Sequence, residues 1–255
     1  MSQSKSINQL TAHKKRALSK LEKYLDRQIS SENSDTRSRA DKLSYWIEDY
    51  TNFLKREETF DSTKSINYRR GDIVKAHLGF RLGNEEGGLH FGVVMDVSNS
   101  KKSDTLTIIP LTSQKANKPI HPNSVALGSE IFRAVTSKHA KLTSEISSRI
   151  YKCDEAIRQL EENENDENSS VRIGQIKEEH DLLKIKLSEL NEVRKSIVKM
   201  KDGSIALVNQ IVTISKMRIY DPVYSRDVLY GIRLSPTTLS MIDEKIIELY
   251  LGKLK

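Results

Sequence analysis

Two stretches of the sequence carry side chains that could cleave a phosphodiester bond. The first, NEEGGLHFGVV, places Glu85 in a glycine-containing loop and His90 at the start of an apolar run, a few residues after Arg81. The second, PLTS, ends another apolar run with the hydroxyls of Thr112 and Ser113. Cleavage of RNA through its 2′-hydroxyl needs a base, an acid for the leaving oxygen, and a donor or cation against the phosphorane charge. The two stretches contain each of these types.

Each of these residues also has an ordinary structural interpretation. Glu85 could belong to a solvated loop, and Thr112 could satisfy the backbone of a turn. His90 could be a structural residue at the start of a strand. Gly87 and Gly88 could form a simple turn, although glycines also let a backbone approach a substrate closely. Taken one at a time, the structural interpretation is favoured, and only the combination indicates chemistry.

Motifs for other kinds of chemistry are missing from the sequence. There is no HExxH, no CxxC, and no cluster of histidines and carboxylates at metal-ligand spacing. Phosphate-binding GxxxxGK[ST] and GxGxxG loops and the GxSxG nucleophile motif are absent as well. An enzyme with this sequence is therefore expected to work without a metal or an organic cofactor.

The candidate residues lie in a segment whose pattern predicts short strands. GDIVKAHL, HFGVVMDVSN and DTLTIIPLTS are β-branched runs separated by Gly, Asn and Ser clusters. Pro110 falls late in its run and predicts an end or a bulge there. IHPNSVALGSEIF predicts one further strand pair, and DGSIALVNQIVTISKMRIY predicts a return to strands at residues 202–220.

The remaining segments predict helices. Residues 1–60 predict two amphipathic helices separated by SSENSDTRS, and residues 138–200 predict an antiparallel coiled-coil hairpin with EENENDENSS as its turn. Cys153 and His180 fall on the apolar seam of that hairpin, which predicts packing roles. The C-terminal segment predicts a further helix that starts with a capping serine and a proline and stops at a glycine. The apolar positions on which these predictions rest are Leu10, Leu18, Leu21, Leu25, Leu43, Trp46, Tyr50, Phe53, Ile146, Ile150, Ile157, Leu160, Ile173, Ile176, Leu183, Leu187, Leu190, Val193, Ile197, Leu239, Ile242, Ile246 and Leu249.

Composition narrows the class of protein. The formal net charge of +7 suits an anionic partner such as nucleic acid. The single cysteine rules out an internal disulfide and fits a reducing cytoplasm. The N-terminal stretch is polar and basic, unlike a signal peptide, and no run approaches the ~20 apolar residues needed to cross a bilayer. A cytoplasmic protein without a membrane partner is expected.

These patterns predict an α+β protein in three parts. Residues 1–60 form a helical extension, residues 66–137 and 202–255 form a β-rich domain, and residues 138–201 form an inserted helical hairpin. Such an insertion costs little, because the ends of a helical hairpin lie close together. The β-rich domain is the expected site of chemistry.

Five motifs, taken in order, resemble the MazF/PemK family of toxin endoribonucleases. They are YRRGDIV, NEEGGLHFGVVMDVSN, TLTIIPLTSQ, SIALVNQIVTISKMRI and the C-terminal helix, within residues 66–135 and 202–253. The resemblance implies a small SH3-like β-barrel with a C-terminal helix, usually in a homodimer. It also implies metal-independent cleavage of single-stranded RNA to 2′,3′-cyclic phosphate and 5′-hydroxyl ends, and inhibition by a cognate antitoxin.

The resemblance also assigns roles to residues. It assigns the catalytic threonine to Thr112, the loop glutamate to Glu85 and the small pair of that loop to Gly87 and Gly88. His90 occupies the position of the family's catalytic arginine, so we expect it to act as acid or base. Further residues expected to contact RNA are Arg69, Arg70, Arg81, Lys101 and Ser113.

The histidine leaves two other functions open. A barrel without the arginine could bind RNA or a protein without cutting, as in related toxins that poison DNA gyrase by protein contact. The barrel could also be a passive platform for the coiled coil, although the combination of Glu85, His90 and Thr112 disfavours this. The N-terminal helices could shield the RNA groove, in which case deleting residues 1–60 should raise activity.

Overall fold

The computed structural model describes residues 5–162, 169–198, 201 and 203–252. Its α-helices are α1 (Ile7–Ile29), α2 (Ser34–Glu57), α3 (Glu130–Glu162), α4 (Ser169–Ile197) and α5 (Pro236–Ile246). Its strands are β1 (Ile73–His77), β2 (Leu89–Val94), β3 (Thr105–Ser113), β4 (Val125–Gly128), β5 (Ser204–Ala206), β6 (Val212–Ser215) and β7 (Ile219–Asp221). No helix in these ranges is long and apolar enough to span a membrane.

The chain divides into two compact units. The helical unit contains residues 1–60 together with the loop 79–84, and the second unit contains residues 61–78 and 85–255. In the helical unit, α1 and α2 form the predicted pair, with Ser6 and Asn33 as their N-caps. α1 contains no buried residue.

Five strands of the second unit form an antiparallel sheet in the order β7-β1-β2-β3-β6. A single 3-10 turn, Lys216–Arg218, joins β6 to β7 at the two edges of this set. This order with this connection is that of an SH3-like barrel, and it confirms the predicted α+β class. The side chains on its inner face form the barrel core, which comprises Tyr68, Val74, Ala76, Leu78, Val94, Leu106, Ile108, Ile214 and Ile219.

Strand β3 continues through Pro110, where the sequence predicted an end or a bulge. Residues 105–108 pair with β6, whereas residues 111–113 pair with β5. Pro110 lies between these two segments, in the gap where β3 changes neighbours. A proline, which has no N–H to donate, is tolerated there because no ladder bond is required on that side.

The other face of the sheet packs against the helices. This helix-facing core joins strand residues Ile73, Phe91, Val93, Ile109 and Leu111 to helix residues Ile131, Val135, Ile146, Cys153, Leu183, Leu190 and Ile242. Cys153 packs as predicted, and burial raises the pKa of its thiol. His180 is partly buried, and its Nε2 lies 3.2 Å from the carboxylate of Asp154.

Helix α3 begins at Glu130, earlier than the predicted start at residue 138, so only one strand of the predicted pair forms. The carboxylate of Glu130 accepts hydrogen bonds from the backbone N–H of Ser235 (2.5 Å) and the hydroxyl of Thr238 (2.6 Å). This tertiary contact ties the start of α3 to the start of α5, and local sequence does not encode it. Residues 163–168 of the predicted turn and the side chains of Val193 and Ile197 lie outside the described part of the chain.

The C-terminal helix has the predicted boundaries and buried face. Ser235 caps it by accepting from the N–H of Thr238, and Pro236 occupies its first turn. Ile242 is fully buried, and Leu239, Ile246 and Leu249 pack around it against the helix-facing core. A π-helical turn, Ile247–Leu251, follows α5 and ends at Gly252.

Candidate active site

The start of β2 and the end of β3 lie next to each other at one end of the barrel. Gly92 pairs with Pro110, and continuing this antiparallel register by two residues on each strand places His90 opposite Thr112. Side chains alternate between the faces of a strand, so both point away from the helix-facing core, on the same face as the barrel core. Both are half-buried, which leaves them accessible at the mouth of the barrel.

The imidazole of His90 lies between two hydrogen-bond acceptors. Its Nε2 is 3.0 Å from a carboxylate oxygen of Glu86, and its Nδ1 is 3.4 Å from the backbone oxygen of Leu111. A neutral imidazole has one N–H and can donate to one of these acceptors, whereas an imidazolium can donate to both. The 3.0 Å contact therefore lets the imidazole and the carboxylate of Glu86 exchange a proton.

The loop before β2 is held in position by backbone contacts. Gly88 adopts a φ of +82°, a conformation that L side chains rarely adopt, and its carbonyl accepts from the N–H of Leu78 at 2.7 Å. The N–H of Glu86 donates to the side-chain oxygen of Gln210 at 2.5 Å. Gln210, which lies between β5 and β6, was missed by the sequence analysis. Its position in the VNQIV motif was the only available signal.

The structure distinguishes the two glutamates of this loop. The side chain of Glu85 is exposed and makes no hydrogen bond or ion pair within the described residues. Glu86 is the carboxylate that contacts His90, and three quarters of its side-chain surface is buried. Ser113, one residue beyond Thr112, pairs with Ser204 on β5. The hydroxyl of Thr112 makes no hydrogen bond within the described residues, so it is available to a substrate.

Three basic residues expected to contact RNA are not brought to this end of the barrel. Arg69 and Arg70 precede β1, and Lys101 lies in the turn between β2 and β3, whereas His90 pairs with the far end of β1 through Ala76. Asp72 accepts from the N–H of Arg69, and Ala76 pairs with His90. These two residues are four positions apart, which spans roughly 13 Å in an extended strand, so Arg69 and His90 lie at different ends of β1.

Of two further predicted RNA-binding arginines, one is engaged through its side chain and the other belongs to the helical unit. The guanidinium of Arg70 donates to the backbone oxygen of Met95 and forms an ion pair with Asp243 of α5, which favours a structural role. Arg81 belongs to the helical unit, where its backbone oxygen accepts from Arg39.

Comparison with protein families identifies the chain. The family model for the PemK-like, MazF-like toxin of type II toxin–antitoxin systems matches residues 69–201, slightly more than half of the sequence. The chain belongs to this toxin family. The match contains the candidate site on β2 and β3, confirming the resemblance that the motifs predicted.

The PemK/MazF match differs in extent from the motif resemblance. It includes α3 and α4 and ends before β5, whereas the motifs also cover residues 202–253. The search of curated proteins found no match for this chain. As a toxin of a type II system, the protein is expected to have an antitoxin partner.

Proposed function

We propose that this PemK/MazF-like toxin is a metal-independent endoribonuclease that cleaves single-stranded RNA in the cytoplasm. The observation that carries this proposal is the imidazole of His90, which lies against the carboxylate of Glu86 on the strand next to Thr112. The family supports a homodimer and a cognate antitoxin that blocks the RNA site.

The proposed reaction is an internal transesterification. The carboxylate of Glu86 accepts the proton of the 2′-hydroxyl, and the 2′-oxygen forms a bond to phosphorus. The bond from phosphorus to the 5′-oxygen breaks, and the His90 imidazolium gives a proton to that oxygen. The products are a 2′,3′-cyclic phosphate and a 5′-hydroxyl, and no water is consumed.

The remaining groups stabilise charge and restore the site. The hydroxyl of Thr112 donates to a non-bridging oxygen of the phosphorane, where negative charge develops. After the reaction, the proton held by Glu86 passes to His90 across their 3.0 Å contact, which restores the starting state. We assign Glu85, which is exposed, the role of orienting the RNA rather than of transferring protons.

The test is RNA cleavage by the purified protein in excess EDTA, with the product ends mapped. We expect cleavage with cyclic phosphate ends, and a loss of ~10²–10⁴-fold in His90→Ala, because a general acid contributes that much. His13→Ala is the matched control, since His13 is exposed on α1.

A binding module is the second candidate, and the replacement of arginine by His90 is the observation that favours it. The wild-type protein could bind RNA without cleaving it, and His90→Ala could bind equally well. That result would contradict the ribonuclease proposal and show a module that binds its target without cleaving it. Cleavage that requires a divalent cation would contradict the metal-independent mechanism.

A further inference from the structure

A cleft of about 570 Å³ lies at the opposite end of β1 from His90. One wall is the segment that leads into β1, including Lys64 and Arg69, and Lys101 lies at the rim. The other wall is the loop 222–233 between β7 and α5. The proposed reaction uses none of these residues.

The lining of this cleft is positively charged. Arg69 and Lys101 are exposed, and neither side chain has an ion-pair partner within the described residues. The carboxylate in the lining, Asp72, already has its hydrogen-bond partners. It accepts two hydrogen bonds from the guanidinium of Arg233 (2.8 and 2.7 Å) and one from the backbone N–H of Arg69 (2.8 Å). The remaining cations are therefore available to an anionic ligand.

Two aromatic rings line the same cleft. Tyr224 and Tyr230 are 49% and 42% exposed. The guanidinium of Arg226, which is not part of the lining of this cleft, lies 4.9 Å from the centre of the Tyr224 ring. Exposed aromatic rings beside unpaired cations are the combination that single-stranded nucleic acids use, because bases stack on the rings while phosphates contact the cations.

The loop that carries the tyrosines is held by hydrogen bonds to three side chains. The carboxylate of Asp227 accepts from the N–H groups of Val223 (2.7 Å) and Tyr224 (2.8 Å), and the hydroxyl of Tyr68 donates to the carbonyl of Pro222 (2.7 Å). The amine of Lys138, on α3, donates to the carbonyls of Asp227 and Tyr230. The cleft is therefore preformed, so a ligand does not have to order this loop.

We infer that this cleft is a second binding site for single-stranded RNA, separate from the site of His90. The inference rests on the proposed function, which names single-stranded RNA as the ligand. The cleft would contribute to RNA affinity and take no part in the cleavage reaction. An acidic protein segment would use the cations, but the two exposed tyrosines favour a ligand with flat bases. Duplex RNA is disfavoured because its bases are already stacked on each other.

The test measures binding of a fluorescein-labelled oligouridylate of about twelve nucleotides to the full-length protein in a His90→Ala background. We expect Tyr224→Ala to weaken binding about tenfold and Tyr224→Phe to restore it, because stacking needs the ring but not the hydroxyl. The double variant Arg69→Ala/Lys101→Ala should make the negative slope of log affinity against log salt concentration shallower by about 1.4. Each phosphate contact on a single strand contributes ~0.7 to that slope. Lys102→Ala is the control, as this neighbouring lysine is exposed and does not line the cleft.

Affinities within twofold of the parent for Tyr224→Ala and for the double variant would overturn the inference. An equal loss for Lys102→Ala would also overturn it, because general charge attraction would then explain binding. Tighter binding of oligoglutamate than of RNA, lost in the same variants, would reassign the cleft to an acidic protein segment. If the wild-type protein binds RNA at the cleft but does not cleave RNA, the proposed function is wrong and the second binding site is supported.

Discussion

At the scale of residues, His90 differs in chemistry from the arginine that PemK/MazF-like toxins are expected to have there. A guanidinium stays protonated at neutral pH and therefore mainly stabilises charge. An imidazole can donate or accept a proton near neutral pH, and it still carries positive charge when protonated. Under the proposed mechanism, the carboxylate of Glu86 against Nε2 is the partner for that proton.

The two adjacent glutamates provide a matched test of this idea. Glu86→Gln should slow RNA cleavage by ~10²-fold or more, because the amide keeps the shape but cannot accept the 2′-hydroxyl proton. Glu85→Gln should change the rate little, since Glu85 is exposed and does not contact His90. The measurement is the single-turnover rate against pH. Equal effects of the two substitutions would show that the contact in the free protein is not the catalytic one.

At the scale of elements, α2 contacts the loop between β1 and β2. The guanidinium of Arg39, on α2, lies 4.6 Å from the centre of the Phe80 ring and donates to the backbone oxygen of Arg81 at 3.3 Å. This loop leads directly into Glu85 and Glu86 along the chain. The contact therefore attaches this loop to α2 within the helical unit.

Loss of this contact should loosen the loop. Arg39→Ala should raise the hydrogen-exchange rate of the loop 79–84 about fivefold, because an exposed cation–π contact with a weak hydrogen bond contributes ~1 kcal/mol. Lys42→Ala, an exposed cation on the same helix, should leave that rate unchanged. If the helices shield the site, Arg39→Ala will also raise RNA cleavage. Unchanged exchange in the loop would contradict the attachment.

At the scale of the whole molecule, the helical hairpin shares a hydrophobic core with the barrel. Leu183 and Leu190 of α4 belong to the same buried cluster as Phe91 of β2 and Ile242 of α5. Elements that bury a common apolar surface are expected to unfold together. We therefore propose that the segment predicted as a separate insert is thermodynamically part of the barrel unit.

A pair of leucines on one helix tests this coupling. Leu190→Ala should lower the free energy of unfolding by about 2–5 kcal/mol, because Leu190 is almost fully buried, and the transition should stay single. Leu182→Ala is the control, since Leu182 is on the same helix and mostly exposed. The measurement is urea unfolding followed by circular dichroism and by cleavage activity. A hairpin that unfolds first while activity persists would show two independent parts.

The sequence by itself determined the elements and their class. Strand periodicity located β1, β2 and β3, and apolar spacing located the helices, because both patterns are set by neighbours a few residues apart. The cap of α5 by Ser235 was readable for the same reason. The order of five short motifs was enough to indicate the toxin family.

Only the tertiary structure decided which side chains meet. Glu86 rather than Glu85 contacts His90, and Gln210, 124 residues further along the chain than Glu86, holds that loop. Arg70 is engaged by Asp243, while Arg69 and Lys101 line a cleft at the other end of β1. The physical reason is that such contacts depend on strand pairing and packing between segments distant in sequence. Residue type and local spacing do not determine that geometry.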